Sequence, residues 1–317
     1  MLEVITPAFI MTFQDGGRKG YQRYGVPTSG PMDWLAHHTA NLLVANAPDA
    51  TCLELGISSA RLQMNADALI AVTGGGYKIL LDGEAVMPLW TAIWVHRGVT
   101  IDLVKVPGGN WAYLAVAGAF KVDTHMGSQS TYARAGLGQK IKPGDHIDLQ
   151  LASNAYRLAG KNLTSGLRPK YHTQIHMRAM VGPHIDRFTQ AGLDAFWQSA
   201  YKITSSSDRM GLRLQGEPIQ HQNTADIISQ GMVLGAVQVP ADGQPIIMMP
   251  DHPTSGGYAQ IAVVARVDLP FLAQCEPGLG LVRFSKISIV EAQRDYRQFV
   301  ASLEPGLRDI EEDWMLL

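Results

Sequence analysis

Three short clusters in this 317-residue chain place charged, hydroxyl and amide groups beside glycine. The first is Gln14-Asp15-Gly16-Gly17-Arg18, followed at 25–33 by Gly-Val-Pro-Thr-Ser-Gly-Pro-Met-Asp. Glycine bares backbone N–H groups, Asp15 offers a carboxylate, and Arg18 offers a planar guanidinium able to bind an acid through two parallel bonds. That chemistry suits an acid or amide ligand, although the same residues could form a tight turn with a surface ion pair. The second is Ser205-Ser206-Ser207-Asp208-Arg209-Met210-Gly211. Here Arg209 could clamp an anion and Ser207 donate a hydroxyl, or the serines and aspartate could simply close a turn through side-chain to backbone bonds. The third, Met249 to Tyr258, crowds Asp251, His252, Thr254, Ser255 and Tyr258 around Gly256-Gly257. It follows an apolar strand that would fix its base, the usual setting of a binding or catalytic loop.

Other chemistries lack their residues. No G-x-x-x-x-G-K-[ST] occurs, and Gly74-Gly75-Gly76 has neither the third spaced glycine nor the following helix of a dinucleotide site. There is no H-E-x-x-H or G-x-S-x-G, and adjacent His37 and His38 would diverge on a helix, so no metal site is expected.

The elements that must position the three clusters read mainly as strands. Between 61 and 151, turn signals recur every 8 to 12 residues or so, the spacing of an all-β barrel or sandwich. Asp82-Gly83 separates Tyr77–Leu81 from Glu84–Met87 and predicts a type I′ hairpin. His146 to Leu151 alternates, with Ile147, Leu149 and Leu151 on one face, and reads as one half-buried strand. Further strands are expected at 201–204, 212–214, 233–239 and 245–249. Helices are few. One runs from Pro31 to about Asn46, one covers 189–199, and one follows the capping box of Ser288 and Glu291. The polar stretch 152–174 is the linker candidate, which divides the chain into domains at 1–165 and 166–317.

Composition narrows the partners. Twenty-six Lys and Arg against 28 Asp and Glu give a formal charge of -2, not the footprint of a nucleic-acid binder. No apolar run approaches the roughly 18 to 20 residues of a spanning helix, and Glu3 stands where a signal peptide would carry basic residues. With only Cys52 and Cys275, far apart, a reducing cytoplasmic location is expected. Low charge content suits a surface partly covered by another protein.

The three clusters carry a resemblance. Q-D-G-G-R at 14–18, S-G-P-M-D at 29–33, A-N-L-L-V at 40–44, L-A-V-A-G at 114–118, S-D-R-M-G-L-R-L at 207–214, V-Q-V-P at 237–240, G-Q-P-I at 243–246 and T-S-G-G-Y at 254–258 occur in the order seen in the KipA, or allophanate hydrolase subunit 2, family. That family includes the C component of the bacterial ATP-dependent 5-oxoprolinase. The resemblance implies two cyclophilin-like β-barrel domains with a few peripheral helices. It implies a KipI-like protein and a LamB/YcsF-like protein, the B and A components, as partners, and hydrolysis of 5-oxo-L-proline to L-glutamate with ATP used by the complex. Related modules of urea carboxylase receive carboxybiotin, so biotin-dependent carboxyl transfer to a urea-like amide is an alternative, and regulatory binding of a KipI-like protein is another. One departure is visible: the family's G-S-R-S-T is Gly127-Ser128-Gln129-Ser130-Thr131 here, which removes a positive charge beside any bound phosphate or carboxybiotin, with Arg134 nearby.

Opening a lactam requires a carboxylate clamp, donors for a developing oxyanion and a proton-transfer group. Arg18 or Arg209 suits the first, with Ser207 and Thr254 as further substrate contacts. The backbone of Gly16-Gly17 or Gly256-Gly257 suits the second, and Asp15, Asp251 or Tyr258 the third.

Overall fold

A computed structural model of the chain describes residues 1–309; the residues from 310 to 317, assigned above to the second domain, lie outside the described part. The fold is mainly β, with a closed seven-strand barrel and few helices. The chain divides into two compact units. Unit 1 holds Met1–Arg18, Asp33–Lys170 and the chain from Ala301, and unit 2 holds Lys19–Met32 and Tyr171–Val300.

In unit 1 the strands form a six-stranded sheet (146–147, 2–6, 60–64, 100–105, 77–81, 85–87) and a seven-stranded sheet (10–14, 52–56, 111–116, 68–74, 91–95, 162–163, 307–308). Both contribute to one core, which includes Leu2, Val4 and Leu62 from the first sheet and Phe13, Leu55, Val72 and Leu114 from the second. Strand Ala68–Gly74 is buried at every residue because its other face packs on helix α1, Trp34–Leu43. A strand covered on both faces reads as a continuous apolar run rather than an alternation. Asp33, not Pro31, begins α1: its Oδ1 accepts from Ala36 N at 2.9 Å and so satisfies a first-turn donor.

The hairpin at Asp82-Gly83 has φ of 51° and 76°, the two positive angles a type I′ turn requires. The expected single strand at 146–151 is instead two. His146–Ile147 pairs with 2–6, Leu149–Leu151 pairs with 118–120, and Asp148 lies between, its carbonyl accepting from Lys121 N. The alternation itself holds, since Ile147, Leu149 and Leu151 are the more buried residues, but periodicity carries no information about partners. The stretch 152–174 is not wholly irregular, for Asn162–Leu163 joins the seven-stranded sheet.

Unit 2 is built on the barrel 174–181, 260–264, 236–238, 246–248, 211–215, 201–203 and 281–286, closed by a parallel ladder between its first and last members. Helix α2, Gln190–Gln198, is capped by Thr189 and stacks Phe196 on Phe284 with ring centroids 4.5 Å apart. Helix α3, Leu269–Gln274, was not expected from the sequence; α4, Ile289–Leu303, begins at the expected capping box, with Ser288 N donating to Glu291 Oε2 and Glu291 N to Ser288 Oγ. A separate two-stranded sheet pairs 226–231 with 255–258. No helix among the described residues is long and apolar enough to cross a membrane.

Candidate functional site

Barrel topology brings the second and third clusters together. Strands 211–215 and 246–248 are antiparallel neighbours with Gly211 opposite Met248, so the chain entering one and the chain leaving the other emerge at the same end. The ladder continues beyond the strands through Met249 N to Met210 O and Asp251 N to Arg209 O. Arg209 and Asp251 therefore face each other. Nε donates to Oδ2 at 2.8 Å and Nη2 to Oδ1 at 3.2 Å, with side chains only 10% and 8% exposed. Nη2 also donates to Gly30 O at 2.7 Å, and Ser29 N donates to Pro250 O. The segment Lys19–Met32, which precedes α1 in sequence, is thus tied to this turn.

His252 closes the same turn, its N–H donating to Met249 O. Its ring is buried, with Nδ1 2.7 Å from Pro253 O. A carbonyl can only accept, so the ring proton sits on Nδ1 and Nε2 is the basic nitrogen. Burial pushes the imidazole pKa below its ordinary 6.5, against smaller upward pulls from that bond and from Asp251.

The other nominated residues of unit 2 have distinct surroundings. Ser207 Oγ accepts from Arg213 N at 3.0 Å and braces the turn before strand 211–215. Thr254 donates no side-chain bond within the described residues but its carbonyl accepts from Met232 N. Gly256 and Gly257 lie in strand 255–258, Gly256 opposite Gln230. A Cβ at Gly256 would fall 2.4 Å from Gln238 Nε2 and 2.9 Å from Met232 Sδ, so any larger residue there would have to displace those side chains. Tyr258, at the end of that strand, is 39% exposed, and no hydrogen bond joins it to the Arg209–Asp251 pair among the described residues.

The first cluster belongs to unit 1. Asp15 Oδ1 accepts from Gly17 N, Ser128 Oγ and Ser130 Oγ at 2.9, 2.6 and 2.6 Å, and Oδ2 accepts from Gln129 N at 2.7 Å. Burial alone would raise its pKa, but these four donors outweigh it and hold the carboxyl below 3.8. Arg18 is fully buried and donates from Nε to His125 O and from Nη2 to Ser130 O. Both charges of the cluster thus fasten the loop 125–131. Gln129 is engaged as well: Nε2 donates to Val122 O at 2.8 Å and Oε1 accepts from Thr51 Oγ1.

A buried polar group in unit 1 escaped sequence reading. Tyr113 OH donates to Glu54 Oε2 at 2.8 Å and accepts from Asp33 N at 2.7 Å, all three residues being fully buried. Its one sequence signal is Glu54, the sole charge in the apolar strand Cys52–Gly56. His37 lies beside it, ring to ring with Tyr113 at 5.9 Å, and burial lowers its pKa to about 4.

Comparison with known proteins adds the following. The carboxyltransferase domain family, subdomains A and B, matches residues 24–286. The chain is 34% identical over 313 residues to the C component of 5-oxoprolinase from Escherichia coli strain K12, covering 96% of this chain and 97% of that protein. Its fold is similar to the crystal structure of the Kluyveromyces lactis urea amidolyase, with a TM-score of 0.89 and 28% identity over 98% of this chain. It is also similar to the crystal structure of TTHA0988, with a TM-score of 0.80 and 30% identity over 90% of this chain. The chain spans 20% of the urea amidolyase and 55% of TTHA0988.

Proposed function

The chain belongs to the carboxyltransferase domain family, and from that membership we propose that it is the C component of a 5-oxoprolinase, opening 5-oxo-L-proline to L-glutamate at the expense of ATP. The observation that carries this reading is the correspondence over 97% of the Escherichia coli C component. Such a component is by its name one part of an assembly. The proposal therefore includes a KipI-like protein and a LamB/YcsF-like protein, in a cytoplasmic complex.

Within that assembly, unit 2 supplies the substrate-facing groups. Arg209 and Asp251 brace the turn 249–252, since each already satisfies the other in a buried two-point pair. His252 and Tyr258 retain a basic nitrogen and a phenol for chemistry. Asp15 and Arg18 hold the loop 125–131 in shape for whatever binds over unit 1. That loop does not fit the anion of ATP or carboxybiotin, because Gln129 brings no charge and its amide is committed to Thr51 and Val122. The nucleotide is accordingly assigned to the partner proteins, and no step through biotin is derived for this chain.

Carboxyl transfer to a urea-like amide is the second reading, favoured by the TM-score of 0.89 to a urea amidolyase. The two separate cleanly. Co-expressed with the KipI-like and LamB/YcsF-like proteins, the chain should elute with them as one species whose ATP hydrolysis is stimulated by 5-oxoproline. Stimulation by urea and bicarbonate in the presence of a biotinylated carrier, with none by 5-oxoproline, would transfer the assignment to the second reading.

A further inference from the structure

The ribbon of 226–231 and 255–258 carries most of the T-S-G-G-Y motif, yet little apolar surface holds it to the barrel. Five of the six residues of strand 226–231 are exposed, and Ile228 reaches 94%. Asp226 stands opposite Tyr258 and Gln230 opposite Gly256, so the longer stretch on the first strand bulges between these two pairs. Apolar anchoring starts only at Met232, after that strand has ended. A two-stranded ribbon is marginally stable by itself, so its few polar bonds to the barrel decide where the motif sits.

Three side chains of unit 2 make those bonds. Gln238, buried in strand 236–238, donates from Nε2 to Tyr258 O at 3.2 Å. Its ladder partner Gln260, also buried, donates from Nε2 to Met232 Sδ at 3.4 Å. His184, at the start of the short helical turn 185–187, is the third. Its backbone N–H donates to Gln260 O, and its ring Nδ1 accepts from Gln260 N at 3.0 Å. A backbone N–H can only donate, so the ring proton sits on Nε2, and the Gln230 side-chain amide beside it must present its oxygen to accept. One imidazole thus joins barrel strand 260–264 to the ribbon, at the residue paired with Gly256.

We propose that His184 is a positioning residue: by joining Gln260 to Gln230 it fixes Gly256, Gly257 and Tyr258 in the place where substrate meets them. It acts through Gln230 and touches no reacting atom. This deepens the reading of unit 2 as the substrate-facing part and rests on it for the substrate. Of the three side chains only His184 titrates. A second proton would sit on Nδ1 and face the Gln260 N–H, so the cationic ring cannot make the joint. The charged groups acting on it are Asp186 and Arg187, of opposite sign and on its own turn. His221, on the segment bridged to Phe188, is engaged with Val239 O. Strand 260–264 brings no titratable group, and the ribbon brings Asp226 and Tyr258, paired at its far end from Gln230. Burial lowers the imidazole pKa below its ordinary 6.5, with Asp186 pulling upward and Arg187 downward. The joint is therefore complete above pH 6.5 and is lost as pH falls through the lowered value.

Amide hydrogen exchange of the full chain reads the joint without any ligand, and 5-oxoproline turnover by the assembled complex reads its use. Gln230→Ala removes an exposed side chain, so it should speed exchange in 226–231 and 255–258 about tenfold near neutral pH, the value of one hydrogen bond, with the melting temperature unchanged. In His184→Asn the side-chain oxygen replaces Nδ1 as acceptor for Gln260 N but cannot reach Gln230. It should loosen the ribbon as much, and the double variant should loosen it no further. His184→Asn should also abolish the loosening that the wild type shows between about pH 7.5 and 5.5, after correction for intrinsic exchange. In the complex, each single variant should lower kcat about tenfold and leave the KM for ATP unchanged. Unchanged ribbon exchange in Gln230→Ala, additive effects in the double variant, the same pH dependence in His184→Asn, or full kcat with a loosened ribbon would overturn the proposal. A wild-type complex inert toward 5-oxoproline would instead reject the substrate reading, with the exchange pattern then upholding or overturning the joint.

Discussion

At the scale of single residues, the site depends on which polar groups the fold consumes. Arg209 and Asp251 occupy each other, and removing one leaves the other charged and buried. Asp251→Ala should therefore destabilise unit 2 by about 3–5 kcal/mol, read by urea denaturation, and a loss under about 1 kcal/mol would contradict the brace role. His37 gives a pH-dependent counterpart in unit 1. Its pKa is about 4 when folded against an ordinary 6.5, so between those values the unfolded chain binds the extra proton. Its contribution is complete above pH 6.5 and declines as pH falls toward 4. His37→Gln can keep the bond to Gln14 O and should flatten the drop in melting temperature between about pH 7 and 5; an unchanged slope would place the proton uptake elsewhere. The residue types of all three clusters were legible in the sequence, but their partners were not. Asp15 is satisfied by Ser128 and Ser130, more than a hundred residues away, and the proton on His252 is placed by the Pro253 carbonyl, which no side-chain pattern reveals.

At the scale of elements, local signals succeeded where the physics is local. Asp82-Gly83 specifies its turn because both residues must adopt positive φ, and Gly83→Val should cost about 1–2 kcal/mol in thermal denaturation; a neutral result would show that the hairpin is held by its strands alone. Thr189 Oγ1 accepts from Gly192 N at 3.0 Å, and Thr189→Ala should cost about 1 kcal/mol, restored by Thr189→Ser. If alanine proves as stable as serine there, α2 is fixed by Phe196 and its stack on Phe284 rather than by its cap. The sequence could not show that 146–151 serves two sheets, or that 174–181 and 281–286 close a barrel in parallel, since both depend on partners distant in the chain. Helix α3, six residues long, gives too few positions for a helical period to register.

At the scale of the whole molecule, a mainly β architecture followed from turn spacing and a low helix count, and the family followed from eight short motifs in order. The excursion of Lys19–Met32 into unit 2 had no signal, because neither its composition nor its glycines distinguish it from an ordinary loop of unit 1. That excursion is what delivers Ser29 and Gly30 to the turn of Arg209, Asp251 and His252. The central claim is that this chain completes an enzyme that opens a lactam. The most direct measurement is release of labelled glutamate from labelled 5-oxo-L-proline by the reconstituted three-protein complex, with and without ATP, and with this chain omitted. The account predicts glutamate only when ATP and this chain are both present; glutamate formed at the same rate without the chain, or none from the complete complex with ATP, would contradict it.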